Sequence, residues 1–276
     1  MEMSGKEKSM QNSPENHSSA SAQDMPFVAP CRILDMTAPI NWLRLGWQDV
    51  TRAPILSLTY GMALTLLSLM ISMFTWRYGT MALYIGMASG FMFIGPVLAV
   101  GLYSISRQLD EGRKPVLGYC ISEGKFHLRE LLVLGIVLMV VLLLWARAAT
   151  VMYVFYPVQS HPGWQQLLPF FGIGSAVGAV FAGVVFAASA FSLPMIMDCK
   201  VDAITAVITS ANAVLRNKKP LMLWAIIIVF TVALGFATAL IGFVVLLPII
   251  GHATWHAYTE TIDASAWPKN SPATES

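Results

Sequence analysis

The chain has 276 residues, of which 56% are hydrophobic and only 12% are charged, and its mean hydropathy is +0.65. A soluble globular domain carries about twice that share of charged residues, so these values predict an integral membrane protein. The net charge of +2, without a cluster of basic and aromatic residues, argues against a nucleic-acid partner.

The two ends of the chain differ in composition from its body. Residues 1–29 are rich in Ser, Asn, Gln, Glu and Lys, and they contain neither an apolar core nor a cleavage-like site. This composition predicts a disordered cytoplasmic tail and not a signal peptide. Residues 261–276 are predicted to form a second cytoplasmic tail, which leaves a membrane domain at residues 30–260.

Six stretches of the membrane domain are apolar enough to cross a bilayer, which takes about 20 residues. The last apolar run, residues 221–258, would reach about 57 Å as one helix, against a hydrocarbon core of about 30 Å. We therefore divide it near residues 235–239 into two helices. The predicted spans are residues 55–75, 80–103, 131–152, 167–194, 221–237 and 240–258. The expected fold is an all-α polytopic membrane protein with six transmembrane helices arranged as three hairpins.

The charged residues are distributed unevenly about these spans. Fifteen of the seventeen basic residues fall on one side, and only Arg77 and Arg147 fall on the other. All fifteen acidic residues lie outside the predicted spans. The positive-inside rule makes the basic side cytoplasmic, and six spans then place both termini in the cytoplasm.

Three segments precede the first, third and fifth spans, and each has one polar side. They comprise residues 39–54, 115–130 and 201–219. In the clearest of them, Ile204, Ile208 and Leu215 form an apolar face, while Thr205 and Thr209 lie on the polar one. This periodicity predicts cytoplasmic amphipathic helices, and the basic end of the last one suits lipid headgroups.

Glycines four residues apart occur in two of the predicted spans. Gly86 and Gly90 lie in the second span, and Gly174 and Gly178 lie in the fourth. Small residues at this spacing let two helix backbones approach closely. We expect these pairs to mark helix packing within one copy of the chain.

The motifs give no sign of an enzyme. The sequence has no GxSxG, no HExxH and no phosphate-binding loop. We therefore expect a non-enzymatic protein that acts by binding, scaffolding or organising the membrane. A small-solute transporter or channel is an alternative, although none of the spans has an ionisable residue near its centre to couple transport.

The stretch GHATWHAY, residues 251–258, contains two of the five histidines. His252 and His256 are four residues apart, a spacing that places both on one face of a helix and can offer two ligands to one metal ion. The favoured interpretation is an interfacial helix end, with Trp255 and Tyr258 in the aromatic belt and both imidazoles at the level of the headgroups. The alternative is a respiratory-chain accessory or metal- or haem-binding subunit that uses His252 and His256.

A larger set of metal ligands is conceivable on the predicted cytoplasmic side. His127, Cys120 and Cys199 fall on that side together with His252 and His256. The cysteines form no CxxC pair, and isolated single ligands are weak evidence for a metal site. The expectation is that the protein has no cofactor, with a metal or haem as the alternative.

Three stretches carry a resemblance to a known family. They are WLRLGWQDV at 42–50, LPMIMD at 193–198 with the helix after it, and GHATWHAY after LLPIIG. Over about residues 30–260 the chain resembles an uncharacterised prokaryotic family of integral-membrane proteins, domain of unknown function 2189, most specifically at GHATWHAY. Some relatives carry the label of a cytochrome c oxidase subunit. The resemblance implies a bacterial inner-membrane protein and assigns no site residues.

The expected partners follow from the predicted surface of the protein. Lipids surround the spans, and a membrane-protein partner or a second copy of the chain is the other candidate. No feature of the sequence predicts a nucleic-acid partner.

Overall fold

The structure, a computed structural model, describes residues 27–79, 99–152, 154 and 163–270. These residues form helices joined by short turns, with two isolated β-bridges, so the all-α expectation is confirmed. In chain order the helices are α1 (Ala38–Arg52), α2 (Pro54–Tyr78), α3 (99–110), α4 (Leu117–Phe126), α5 (Leu128–Met152), α6 (Trp164–Ser189), α7 (Ser192–Asp198), α8 (Ala203–Arg216), α9 (Lys218–Ala237) and α10 (Phe243–Thr261).

Four helical stretches of the described residues are long and apolar enough to cross a membrane. They are Pro54–Tyr78, Leu128–Met152, Trp164–Asp198 and Lys218–Ala237. The predicted second span, 80–103, lies outside the described residues except for 99–103. The predicted sixth span, 240–258, coincides largely with α10, which is not among the four, so this span is not confirmed. The structure thus supports four of the six predicted spans.

The long apolar run at 221–258 consists of two helices with a turn between them at 238–242. Ala239 and Leu240 have positive φ angles, a conformation uncommon for residues other than glycine. The Leu240 amide donates to the Gly235 carbonyl at 2.9 Å, which closes the end of α9. Across the turn, the rings of Phe236 and Phe243 pack edge to face with centroids 5.7 Å apart.

Each of the three predicted amphipathic segments is a short helix that leads into a long apolar one. The breaks fall at single residues: Ala53 between α1 and α2, His127 between α4 and α5, and Asn217 between α8 and α9. At the first break the cause is local, because Pro54 disfavours a helical conformation in the residue before it. The same unit, a short helix followed by an apolar one, therefore occurs three times.

The short helices and the two outer segments gather at one end of the apolar helices. We call this assembly the cap: residues 27–53, 104–127 and 192–217, the second half of α10 and residues 262–270. In its core α1 packs along α10. The Trp42 ring meets Trp224 of α9 edge to face at 5.5 Å, and its indole N–H donates to Glu260 at 2.6 Å.

Residues 261–270, which were predicted to be part of a tail, are packed into the cap. Trp267 is buried, and β-bridges pair Ile262 with Cys31 and Lys269 with Cys199. The buried Asn270 amide donates to three backbone carbonyls at the end of α7, within 2.9–3.1 Å. Carbonyl groups at the end of a helix have no hydrogen-bond partner inside that helix, and Asn270 supplies one here. Because this contact joins residues far apart in the sequence, the composition of residues 261–270 does not reveal it.

Among the described residues, close helix packing occurs at glycines other than the predicted Gly174 and Gly178. No described residue lies within 4 Å of a Cβ built at Gly174 or Gly178. The pair at residues 86 and 90 lies outside the described residues. By contrast, a Cβ at Gly46 of α1 would lie 2.6 Å from the Ile249 carbonyl oxygen of α10, and one at Gly61 of α2 would also meet α10. Among the described residues, these glycines allow α1 and α2 to approach α10.

Candidate functional site

His252 and His256 lie on the part of α10 that faces the protein interior. His252 exposes 0% of its surface and His256 exposes 9%, and Trp255 and Tyr258 are buried beside them. These four side chains are therefore packed against protein and not exposed to lipid headgroups, while their level in the membrane stays a prediction. The physical reason is that α1 packs along α10 and covers this end, a contact between segments about two hundred residues apart.

The His252 ring connects α10 with α2 and α3. Its Nε2 atom lies 2.9 Å from Ser57 Oγ, and its Nδ1 atom lies 2.7 Å from Ser106 Oγ. The Ser106 hydroxyl donates its proton to Asp49 Oδ2 at 2.8 Å, so its oxygen accepts from His252 Nδ1–H. The Ser57 hydroxyl then donates to His252 Nε2. This network assigns the proton of a neutral His252 to Nδ1.

Asp49 of α1 connects His256 to the same network. Its Oδ2 atom accepts from Ser106 and from His256 Nε2, each at 2.8 Å. Its Oδ1 atom is buried without a hydrogen-bond partner among the described residues, and the Arg52 guanidinium lies 3.9 Å away. Burying a carboxylate costs free energy unless it is paired and hydrogen-bonded, so Asp49 favours the packing of α1 against α3 and α10.

We call Asp49, Ser57, Ser106, His252 and His256 the polar cluster. A serine hydroxyl, an imidazole and a carboxylate also make up the triad of many hydrolases. Here the Asp49 carboxylate is hydrogen-bonded to Ser106 and not to His252, the imidazole that contacts Ser106. Ser57, Ser106 and His252 are all fully buried. A nucleophile must border a cavity that admits a substrate. The arrangement therefore suits a structural lock that joins α1, α2, α3 and α10.

His127 and Cys120, two further predicted metal ligands, lie in and next to α4. The His127 ring packs edge-on against Phe126 at 5.1 Å, and burial lowers its pKa. The Cys120 sulfur lies 3.5 Å from Gln108 Nε2, and burial raises the pKa of the thiol.

Cys199 belongs to a second buried group in the cap. Its sulfur lies 3.6 Å from Asp198 Oδ2 and 3.8 Å from the Tyr258 hydroxyl. Burial, followed by the negative charge of Asp198, raises the pKa of Cys199 to about 12. Asp198 also accepts from the Tyr258 hydroxyl and from the Lys269 ammonium, each at 2.9 Å. This group fixes residues 262–270 to α7 and α10.

The structure does not bring the predicted metal ligands together. His252 is directed to two serines, His256 to Asp49, and the other three candidates lie in the separate surroundings given above. In the parts of the chain that the structure describes, no three His, Cys, Asp or Glu side chains are arranged to hold a metal ion. The metal or haem alternative thus finds no ligand set there.

Arg107 of α3 forms a third buried contact of the cap. Its guanidinium donates to Glu123 of α4 at 3.3 Å and to the Asn270 carbonyl oxygen at 2.6 Å. Burial raises the pKa of Glu123, while the charge of Arg107 opposes that shift. Removing one partner from such a buried pair leaves an uncompensated charge. The contacts of Arg107 therefore favour the arrangement in which α3 lies next to both α4 and residue 270.

Helix α8 buries a face of small and hydroxyl side chains, among them Ala206, Thr209 and Ser210, and exposes large apolar side chains on its outer side. The Thr209 hydroxyl oxygen accepts from the Ala29 amide at 3.2 Å, and the Ser210 hydroxyl donates to the Ala187 carbonyl at 2.7 Å. On the other side Ile204 and Leu215 expose 59% and 63% of their surfaces. Of the predicted apolar face, Ile204 and Leu215 are thus exposed and Ile208 between them is half-buried.

Helix α1 shows the same feature at the start of the chain's described part. Trp42 and Asp49 are buried against α10, whereas Ile40 and Trp47 are exposed on the outer side. Arg44 lies between them in sequence and is exposed as well. Both short helices thus present apolar and basic side chains to the surroundings.

Three members of the polar cluster were not predicted from the sequence. Ser57 and Ser106 lie in no motif, and Asp49 lies in WLRLGWQDV, a stretch whose family resemblance assigned no site residue. The partners of these three residues are up to 207 residues away. One signal was available for Asp49, because it shares a helical face with Trp42, Gly46 and Val50, and all four are buried. A carboxylate within an apolar stripe needs a buried partner, and the histidines of GHATWHAY were candidates.

Comparison with curated proteins and with solved structures gives no match. A family model described as "Predicted integral membrane protein (DUF2189)" matches residues 83–198, and this is the family named from the sequence. The matched part contains LPMIMD and does not reach WLRLGWQDV or GHATWHAY, so the resemblance at those two stretches stays a prediction. The chain is an integral membrane protein that matches, over residues 83–198, a family of unknown function described as predicted integral membrane proteins.

Proposed function

We propose that this protein is a non-enzymatic, membrane-organising scaffold of the bacterial inner membrane. The observation that carries this proposal is the exposure of apolar side chains on the outer faces of α1 and α8, namely Ile40, Trp47, Ile204 and Leu215. Through these faces the cap would lie on the cytoplasmic surface of the bilayer and contact its lipids. In this function the protein needs no cofactor, and the polar cluster acts as a lock that maintains the shape of the cap.

Contact with lipid would remove the exposed apolar side chains of α1 and α8 from water. Burying an Ile or Leu side chain fully is worth about 1.5–3 kcal/mol relative to leaving it in water. An amphipathic helix at a membrane surface gains part of this free energy by placing its apolar face at the boundary of headgroups and acyl chains. Ile204 and Leu215 on α8 and Trp47 on α1 are placed to do this.

The connections of α1 and α8 support this location. Each helix ends one residue before an apolar helix that is long enough to cross the membrane, at Ala53 and at Asn217. The last turns of α1 and α8 must therefore lie close to the level at which those helices enter the bilayer. A membrane surface is thus the nearest apolar environment for their outer faces.

The distribution of charge supports a cytoplasmic position of the cap. The cap holds the buried ion pairs described above and most basic residues of the described chain, whereas Arg77 and Arg147 lie toward the other ends of α2 and α5. The positive-inside rule assigns the basic side to the cytoplasm. We accordingly propose that both termini are cytoplasmic.

Spin labels test whether the outer face of α8 meets lipid. Ile204→Cys and Leu215→Cys would be labelled in a chain whose half-buried Cys31 is replaced by serine, and reconstituted in phosphatidylcholine vesicles. We expect the labels to collide with dissolved oxygen more than with a water-soluble nickel chelate. A label at Ala266→Cys, an exposed position of the cap outside α1 and α8, is the water-exposed control. The same nickel accessibility at all three positions would overturn the proposal.

A further inference from the structure

We propose that the junction of α8 and α9 is a binding site for the headgroups of anionic phospholipids. The inference rests on the proposed function, because it requires α8 to lie at the membrane surface. Beyond that function, it specifies the class of lipid that the protein binds there. Three basic residues carry it: Arg216 at the end of α8, and Lys218 and Lys219 at the start of α9.

The junction is a built structure, held by the buried side chain of Asn217. Its Oδ1 atom accepts from the Leu34 amide at 2.9 Å, and its amide nitrogen donates to the Arg32 carbonyl at 3.0 Å and to the Ala213 carbonyl at 3.2 Å. Residues 32–34 are thereby fixed beside the break between α8 and α9. The Arg32 side chain, which is exposed, adds a fourth basic group on this segment.

The positive charge at this place is not neutralised within the described chain. Arg216, Lys218 and Lys219 are exposed, and none of them makes an ion pair with a described residue. Arg32 is partly compensated by Asp263, whose pKa is lowered first by hydrogen bonds from Ser265 and also by the charge of Arg32. The three residues at the junction therefore retain a net charge that an anionic partner would complement.

Apolar side chains surround these basic groups. Ile33 exposes 92% of its surface next to Arg32, and Leu215 and Met222 are exposed on either side of the junction. Basic groups flanked by apolar ones at the start of a membrane-crossing helix match a lipid, which offers a charged headgroup above an acyl chain. A soluble anion would use the charges and leave the apolar side chains in water, so we commit to an anionic lipid.

The test compares spin-labelled phosphatidylglycerol with spin-labelled phosphatidylcholine as neighbours of the reconstituted full chain. Neutralising the junction with Arg216→Gln, Lys218→Gln and Lys219→Gln removes three charges. The control Lys114→Gln, Lys125→Gln and Lys200→Gln removes three exposed charges elsewhere in the cap. Each basic residue near an anionic surface corresponds to about a fivefold change in association, so we expect at least that loss of phosphatidylglycerol preference in the junction variant only.

Two results would overturn the inference: no phosphatidylglycerol preference in the unmodified chain, or equal losses in the two triple variants. If the junction variant does not fold, the unmodified chain still supplies a test, because the preference must fall in high salt. A preference that high salt leaves unchanged would also contradict the proposal. These outcomes are distinct from failure of the proposed function, since the labels at Ile204→Cys and Leu215→Cys report lipid contact in vesicles without anionic lipid.

Discussion

The Nδ1 atom of His252 lies 2.7 Å from the Oγ atom of Ser106, a residue 146 positions earlier in the chain. This contact joins α10 to α3 inside the cap, and the Ser106 hydroxyl continues the network to Asp49 of α1. Because both partners are fully buried, each depends on the other to satisfy a polar group that water cannot reach.

Removal of the Ser106 hydroxyl is expected to destabilise the protein. Ser106→Ala leaves His252 Nδ1–H without an acceptor and deprives Asp49 of a donor, which corresponds to about 1–3 kcal/mol for an unsatisfied buried group. The measurement is thermal unfolding in a mild detergent. Ser68→Ala is the control, because that hydroxyl donates only to the Leu64 carbonyl one turn away. If the two variants unfold at the same temperature, the network has no role in stability.

The contact between Asp49 and His256 is expected to be energetically coupled. A double-mutant cycle with Asp49→Ala and His256→Ala should give a coupling free energy of about 0.5–3 kcal/mol, since the pair is buried at 2.8 Å. The comparison cycle uses Asp49→Ala with Arg52→Ala, where the exposed guanidinium lies 3.9 Å away and the coupling should be below about 1 kcal/mol. Additive effects of Asp49→Ala and His256→Ala would contradict the proposed lock.

The apolar helices could be predicted from the sequence because their signal is local. A run of about 20 apolar residues has few alternatives to a membrane-crossing helix, and four of the predicted spans coincide with such helices. The break in the run at 221–258 also followed from length alone. The cap did not follow, because the contacts of Asn270 with Met197 and of His256 with Asp49 join residues 73 and 207 positions apart, and no sequence pattern pairs these segments.

The orientation of the amphipathic helices shows a second limit. Periodicity placed Ile204 and Leu215 on one side of α8 and Thr209 on the other, and the structure has this division. In a soluble protein the apolar side would face the core. Next to a bilayer it can instead face lipid, and buried hydroxyls can bond to backbone groups of the protein. Sequence periodicity identifies the two faces but not which of them the protein covers.

Close contact between α2 and α10 makes Gly61 sensitive to substitution. A Cβ at Gly61 would meet the Val244 carbonyl and lie 2.8 Å from Pro248 Cγ, so Gly61→Ala should separate the two helices. Overpacking of this kind costs about 1–3 kcal/mol, measured as a lower unfolding temperature. Gly178→Ala on α6 is the matched control, since no described residue lies within 4 Å of its Cβ. A larger effect at Gly178 than at Gly61 would contradict the described packing.

The start of α8 gives a prediction that depends on pH. The Asp202 carboxylate accepts from the Ile204 and Thr205 amides at 3.0 Å and caps the helix. Burial raises the pKa of Asp202, but hydrogen bonds from Thr205 and Ile204 outweigh it and lower the pKa below its ordinary value. A lowered pKa in the folded state means that the ionised cap stabilises the protein above the unfolded pKa of about 3.9 and loses this effect as pH falls through the folded pKa.

Asp202→Ala should therefore lower stability by about 1 kcal/mol at neutral pH, the usual effect of losing such a cap. The deficit should shrink as the pH is lowered from about 4, because the unmodified chain then loses its ionised cap as well. Thermal unfolding in detergent at a series of pH values measures both effects. Asp202→Asn is the control, since an amide oxygen caps the helix almost as well and does not titrate. A deficit of Asp202→Ala that grows on acidification has the wrong sign for this cap and would disprove its role.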